Sequence, residues 1–254
     1  WLVTNPSTSP ENFPDGGGNK PYFDEVTAGF REGTTICAGS SIDMQILYDL
    51  FGYYLEASRL LKQEDSLVSE VRLAREKLAA CALLLSPNVP MLFMGQEFLE
   101  DKPWADDFVS HPELLLYWAG LDQGDKQMLD HVRCISELLS WRRRCPGLRG
   151  QGFRVVHAHD ENRVLAFHRW VPGAGHDVLV VVHLAPFHRF GYRIGFPGEG
   201  TWRELFNSDV YENWVNPGVV GNGGSVLADQ QPLHGFSASA AVTLPANSLL
   251  VFTR

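Results

Sequence analysis

The chain has 254 residues, of which 44% are hydrophobic and 20% charged, a composition typical of a globular protein with one large domain or two ordinary ones. Its formal net charge of −9 argues against a polyanionic partner such as nucleic acid. Four scattered cysteines without a Cys-x-x-Cys pair, no apolar run of about 18 residues and no visible basic leader predict no metal or other cofactor, no membrane contact and a cytoplasmic location.

The first 40 residues are rich in Gly, Pro, Ser and Thr, which predicts a long loop. Its most polar part contains Glu11 and Asn12 among short side chains that bond their own backbone. Two interpretations stay open for this loop, a well-packed Ω-type surface loop or a functional loop.

Two helices are predicted next. Ser40 and Asp43 form a plausible capping pair for the first, so Asp43 has an ordinary structural explanation as a helix start. The second helix is predicted to begin near Ser66 and to run to Leu85. Its apolar residues recur at three- and four-residue spacing: Leu67, Val71, Ala74, Leu78, Ala82 and Leu85.

An apolar run bounded by Pro and Gly follows at residues 89–94, VPMLFM. Such a run predicts a short strand buried on both faces, as in a parallel sheet. Ligands in parallel sheets bind just past the carboxyl ends of the strands, which makes Gln96 and Glu97 candidate binding residues. The alternative is that both side chains only satisfy a neighbouring loop.

From about Lys126 to Arg144 the pattern is again helical, and three arginines in the last turn suit the negative end of the helix dipole. From Gly150 onward the period changes to alternation, with Gly and Pro turns between about seven short strands. The predicted fold class is α+β, with a helical segment and a partial barrel strand followed by a carboxyl-terminal antiparallel β-sandwich.

A long excursion between two of these strands carries Tyr211 and Trp214 beside Asn and Asp side chains. Exposed aromatic rings stack on sugar rings, and neighbouring polar groups bond the hydroxyls. The sequence therefore nominates Tyr211 and Trp214 as binding residues for an oligosaccharide, against the alternative of a loop packed on the sandwich.

The strings SPNVPMLFMGQEF, LEDKPWADD, LLSWRRRCPGLRG and PANSLLVFTR closely resemble the α-glucan branching enzymes of glycoside hydrolase family 13. This resemblance covers residues 79–254. It implies that residues 89–94 are the last strand of a (β/α) barrel, that a β-sandwich follows, and that the partner is an oligosaccharide or α-glucan.

The strings LVTNPSTSPEN and TTICAGSSIDMQILYDLFGYYLEASRLL resemble the α-L-fucosidases of glycoside hydrolase family 95. This second resemblance covers residues 1–78 and implies part of an (α/α)6 barrel. It implies a catalytic candidate in Asp43, near the water-activating group, and places Glu11 and Asn12 at the border of the same pocket.

The two resemblances meet near Lys77, so the chain has the character of a chimera. We expect three parts: residues 1–82, 83–149 and 150–254. The paired carboxylates of family 13 lie upstream of Leu83, so the first hypothesis is a branching-enzyme-like protein without activity as this chain. The alternatives are a noncatalytic carbohydrate-binding or scaffold module and an α-L-fucosidase-like hydrolase. The sequence predicts no oligomeric state.

Overall fold

The computed structural model describes residues 66–87, 89–92, 94–100, 109–110, 112 and 115–254, with side chains from residue 76 onward. The chain divides into two compact units, Trp1–Arg75 and Glu76–Arg254. The candidates Glu11, Asn12 and Asp43 lie outside the described residues.

Three α-helices are described: α1, Ser66–Leu85; α2, Trp118–Asp122; and α3, Lys126–Arg144. Helix α3 begins after Asp125, whose carboxylate accepts the amide hydrogen of Met128 at 3.1 Å. Cys145 follows its last residue, and Pro146 then opens a 3-10 helix, Pro146–Leu148. The bounds of α1 and α3 agree with the apolar periodicity of the sequence. None of the described helices is long and apolar enough to cross a membrane.

The strands form two antiparallel sheets. One has the order β1-β2-β3-β8-β5-β6, and the other pairs β4 with β7. Their bounds are β1, Gly152–His159; β2, Val164–Val171; β3, Gly175–His183; β4, Arg189–Phe196; β5, Gly200–Asn207; β6, Ser225–Ala228; β7, Ala238–Leu244; and β8, Ser248–Thr253. The predicted fold class, a helical segment followed by an antiparallel β-sandwich, is confirmed. The short strand β6 lies inside what the sequence suggested was a single long excursion.

The large sheet is covered on both faces. Between the two sheets lies one core that includes Ile194, Phe196 and Trp202. On the opposite face, α1 and α3 pack against the sheet and form a second core, called here the helical core. Leu85 and Leu138 are fully buried in it. Because both faces are covered, β3 is apolar at consecutive positions, and Val178 through Val182 have no exposed surface.

Two arginines satisfy carbonyl groups at the carboxyl end of α1. Arg169 of β2 donates to the carbonyl oxygens of Leu85 and Ser86, each at 2.9 Å, and to Gly150 at 2.7 Å. Arg142 of α3 donates to the carbonyls of Leu84 and Ser86. The last carbonyls of a helix lack partners within the helix, so these guanidinium groups supply them. Arg142 therefore serves the end of α1, whereas the sequence suggested a role at the end of its own helix.

The structure differs from the prediction at residues 89–94. The described residues of this run form no strand and pair with no other described segment. Val89 is 90% exposed, and Met91 and Met94 are about half exposed, while Leu92 packs against the helical core. A buried strand needs a neighbouring strand for its backbone hydrogen bonds, and the described part of the chain supplies none here.

Candidate functional site

The excursion after β5 is closed at its base by side-chain hydrogen bonds. Asn207 accepts the amide of Asp209 at 3.0 Å and donates to the carbonyl of Val220 at 2.9 Å. Asp209 in turn accepts the amide of Val220 at 2.8 Å, and Asn216 donates to the carbonyl of Asp209 at 2.9 Å. Residues 207–220, called here the aromatic loop, thus have a fixed base on the sandwich.

Three aromatic rings form a column through this loop. The ring of Tyr211 stacks on that of Phe206, with centroids 5.6 Å apart, and on that of Trp214, with centroids 5.4 Å apart. Phe206 belongs to the buried helical core, whereas Trp214 is 38% exposed. Burial raises the pKa of Tyr211, so its hydroxyl stays neutral. The two predicted sugar-binding residues are therefore in contact with each other, and Trp214 is the member that a ligand can reach.

Helix α3 holds the tip of the loop through Asp130. One carboxylate oxygen of Asp130 accepts the amide hydrogen of Trp214 at 2.9 Å and a hydrogen from Lys126 at 2.7 Å. The other oxygen accepts from Arg133 at 2.7 Å. Lys126 also donates to the carbonyl oxygen of Trp214 at 2.8 Å, and the guanidinium of Arg133 lies 6.0 Å from the indole centre. Both the backbone and the ring of Trp214 therefore meet α3.

A second link joins the loop to α1. Glu212 forms an ion pair with Lys77, whose side chain is almost fully buried. Asp209 is also buried, and burial raises the pKa of its carboxyl group. Each carboxylate at this site, those of Asp130, Asp209 and Glu212, thus accepts a hydrogen from a protein donor.

Gln96 and Glu97 lie in a 3-10 helix, Gln96–Phe98. A carboxylate oxygen of Glu97 accepts the amide hydrogen of Gly95 at 3.0 Å, so it stabilises its own turn. The carbonyl oxygen of Gln96 lies 3.0 Å from a ring nitrogen of His131, the residue after Asp130 in α3. Glu97 therefore stabilises its own turn and the backbone of Gln96 contacts α3, while sugar binding by the two side chains stays a prediction. In the described part of the chain, no group of three or more His, Cys, Asp or Glu side chains could hold a metal ion.

Sequence reasoning missed Asp130, Lys126 and Arg133. In a helix, a carboxylate with cations four residues before it and three residues after it indicates an ordinary solvated face. Asp130 is nevertheless only 5% exposed, because a loop 84 residues further along the chain covers it. No local pattern in the sequence carries that information.

Comparison with family models divides the chain in two. Residues 155–254 match the alpha amylase C-terminal all-beta domain. Residues 1–107 match the catalytic domain of glycosyl hydrolase family 95, a range that extends past the residue 78 expected from the motifs.

Curated relatives are 1,4-alpha-glucan branching enzymes. That of Pseudomonas syringae pv. tomato is 35% identical over 170 residues, covering 65% of this chain and 22% of the relative. Those of Frankia casuarinae and Aquifex aeolicus are 38% and 34% identical, over 63% and 65% of this chain and 19% and 25% of their own lengths. The chain thus spans a quarter or less of these relatives.

A solved alpha-amylase from Geobacillus thermoleovorans, complexed with acarbose, overlaps 74% of this chain and 35% of its own at a TM-score of 0.47 and 14% identity, which supports no conclusion about function. The family models and curated relatives confirm both resemblances that the motifs carry. The chain joins an amino-terminal portion similar to the glycosyl hydrolase family 95 catalytic domain to a carboxyl-terminal portion similar to 1,4-alpha-glucan branching enzymes, whose last 100 residues match the model of the alpha amylase C-terminal all-beta domain.

Proposed function

We propose that the carboxyl-terminal portion of this chain binds α-1,4-glucan at the aromatic loop. The observation that carries the proposal is the stacked column that ends in the half-exposed indole of Trp214. A flat indole presents an apolar face to the C–H face of a pyranose ring, and a stack held from below keeps that face in place before the ligand arrives. The branching-enzyme relatives are named for 1,4-alpha-glucan, which selects this substrate class.

Binding without catalysis is the function that the site geometry favours. A retaining transfer between glucans needs two carboxyl groups about 5 to 5.5 Å apart, one as nucleophile and one as acid. The acidic side chains at the aromatic loop already accept hydrogen bonds that hold the loop to α1 and α3. We therefore propose a glucan-binding role for the aromatic loop.

Hydrolysis of an α-L-fucoside through Asp43 is the second candidate, supported by the family 95 match over residues 1–107. Glu11 and Asn12 would border the pocket, as the family resemblance implies. Fucose release from a synthetic α-L-fucoside tests it, and the Asp43→Asn variant is the control. Release by the parent chain that disappears in the variant would favour this candidate over simple glucan binding.

The principal test is affinity for maltoheptaose by calorimetry, together with retardation in an amylose gel. We expect Trp214→Ala to lower the affinity about tenfold, equivalent to about 1.4 kcal/mol, because the stacking partner is lost. Phe190→Ala is the matched control, since Phe190 is an aromatic residue of β4 that is 74% exposed. Equal affinity of Trp214→Ala and the parent chain would exclude the aromatic loop as the binding site.

A further inference from the structure

We propose that Asp130 is a positioning residue that orients Trp214 for glucan binding. The inference rests on the proposed function for its ligand, but its physical content is a contact between α3 and the aromatic loop. Asp130 itself is 5% exposed, and the three hydrogen bonds to its carboxylate all come from protein donors, so it acts through Trp214 and not by touching a sugar.

The hydrogen bond to the Trp214 amide is the central contact. It joins residues 84 positions apart, and it is charge-assisted because its acceptor is a carboxylate. An amide in an exposed loop normally bonds water, which would leave the loop tip free to change conformation. Here the Trp214 amide bonds the side chain of Asp130, on a helix that packs into the core. The backbone of Trp214 is therefore held in place, and this restricts the position of its indole ring.

The two cations of the cluster also meet Trp214. Lys126 bridges the carboxylate of Asp130 and the carbonyl of Trp214, while Arg133 bonds the same carboxylate and lies near the indole. Ordinary ion pairs on a helix surface would involve only residues three or four apart. All three charged groups instead converge on one loop residue, which indicates an arrangement built around Trp214.

The cluster also suits the chemistry of the ligand. The side chains of Lys126 and Arg133 remain about half exposed, the first at the backbone carbonyl of Trp214 and the second 6.0 Å from the centre of its indole. An α-glucan is uncharged and carries hydroxyl oxygens that accept hydrogen bonds, so it can stack on Trp214 and accept from these donors. Asp130 neutralises part of their charge and limits their movement, which reduces the entropy lost on binding.

The test is the variant Asp130→Asn, which keeps the size of the side chain and removes its charge. We expect a fivefold or larger loss of maltoheptaose affinity and faster hydrogen exchange at the Trp214 amide. Glu161→Gln is the matched control, because Glu161 is an exposed carboxylate in the turn between β1 and β2 and belongs to neither α3 nor the aromatic loop. We expect this control to change neither quantity.

A double variant separates positioning from general stability. If Asp130 acts through Trp214, adding Asp130→Asn to Trp214→Ala should lower the affinity no further than Trp214→Ala alone. If the double variant lost affinity by the product of the two single losses, the proposal would be overturned. Unchanged hydrogen exchange at the Trp214 amide in Asp130→Asn would also overturn it.

The two proposals can fail separately. If the parent chain binds no glucan, the proposed function fails, and with it the glucan role of Asp130, while amide exchange still measures whether Asp130 fixes the loop. Lys126→Met serves if Asp130→Asn does not fold, because Lys126 is half exposed and its loss removes one link to the loop. We then expect a smaller fall in affinity that also vanishes in the Trp214→Ala background. If the affinity of Lys126→Met equals that of the parent chain, the proposal is wrong.

Discussion

His157 lies in a cluster of imidazoles at the open edge of the sandwich. Its ring stacks on that of His234, with centroids 4.0 Å apart, and a ring nitrogen lies 2.8 Å from the hydroxyl of Tyr192. The ring of His159 is 6.0 Å away. Burial, followed by repulsion from His234 and His159, lowers the pKa of His157 to about 4. A neutral imidazole is therefore part of the folded edge.

This cluster predicts acid sensitivity. A folded-state pKa below the unfolded value of about 6.5 means that the unfolded chain binds the proton first, so His157 contributes stability above pH 6.5 that is lost as the pH falls toward 4. We expect urea unfolding to show a smaller loss between pH 7 and pH 4.5 in His157→Gln than in the parent chain.

Other histidines share this direction, so the variant should reduce the acid loss without abolishing it. Burial also lowers the pKa of His131, His168, His183 and His234. His176→Gln, at an exposed position near the start of β3, is the control for replacing a histidine outside this cluster. An identical pH dependence in His157→Gln would mean that the cluster opens in the folded protein.

The elements of this chain differ in how far the sequence predicts them. Helices α1 and α3 and most strands follow from periodicity, because amphipathic spacing records which side faces the core. The run at 89–94 has the composition of a buried strand, yet Val89 is 90% exposed. An apolar composition allows a segment to form a buried strand only where neighbouring strands can pair with it. The described residues place no strand beside residues 89–94.

The same contrast holds for the candidate site. The loop that carries Tyr211 and Trp214 could be predicted because aromatic residues beside Asn and Asp form a local signal, whereas sugar binding by these two residues stays a prediction. The roles of Asp130 and Arg169 could not be predicted, since the hydrogen bonds that join them to Trp214 and Leu85 each span 84 residues of sequence. Long-range contacts of single polar groups have no period and leave no pattern in one sequence.

The exposed run predicts an asymmetry between neighbouring apolar residues. Val89→Asp should change the free energy of unfolding by less than about 0.5 kcal/mol, because its side chain is already in water. Leu85→Ala, only four residues earlier, should cost about 2 to 5 kcal/mol, because Leu85 is fully buried and its truncation leaves a cavity.

Urea unfolding of both variants measures this difference. A loss above about 2 kcal/mol for Val89→Asp would mean that the run is buried in solution, with the strand-like environment that its composition suggests.

At the scale of the whole molecule, one core crosses the boundary expected at residue 150. The helical core combines Leu85 of α1 and Leu138 of α3 with Val180 of β3 and Val251 of β8. The sheet therefore has two apolar faces, and the small β4-β7 sheet covers only one of them. Arg169 adds a polar link, since its partners Leu85 and Ser86 lie at the end of α1.

This shared core predicts how truncated chains behave. Residues 76–254 should melt in one cooperative transition, because they contain both cores of a compact unit. Residues 150–254 alone should bind a hydrophobic dye and aggregate, because loss of both helices leaves one sheet face uncovered.

Leu138→Asp in residues 76–254 should reproduce part of this behaviour by placing a charge in the helical core. Light scattering and thermal melts at matched concentration distinguish the outcomes. If residues 150–254 stayed monomeric and melted within a few degrees of 76–254, the helices would be accessory, and the sandwich would be a domain in its own right.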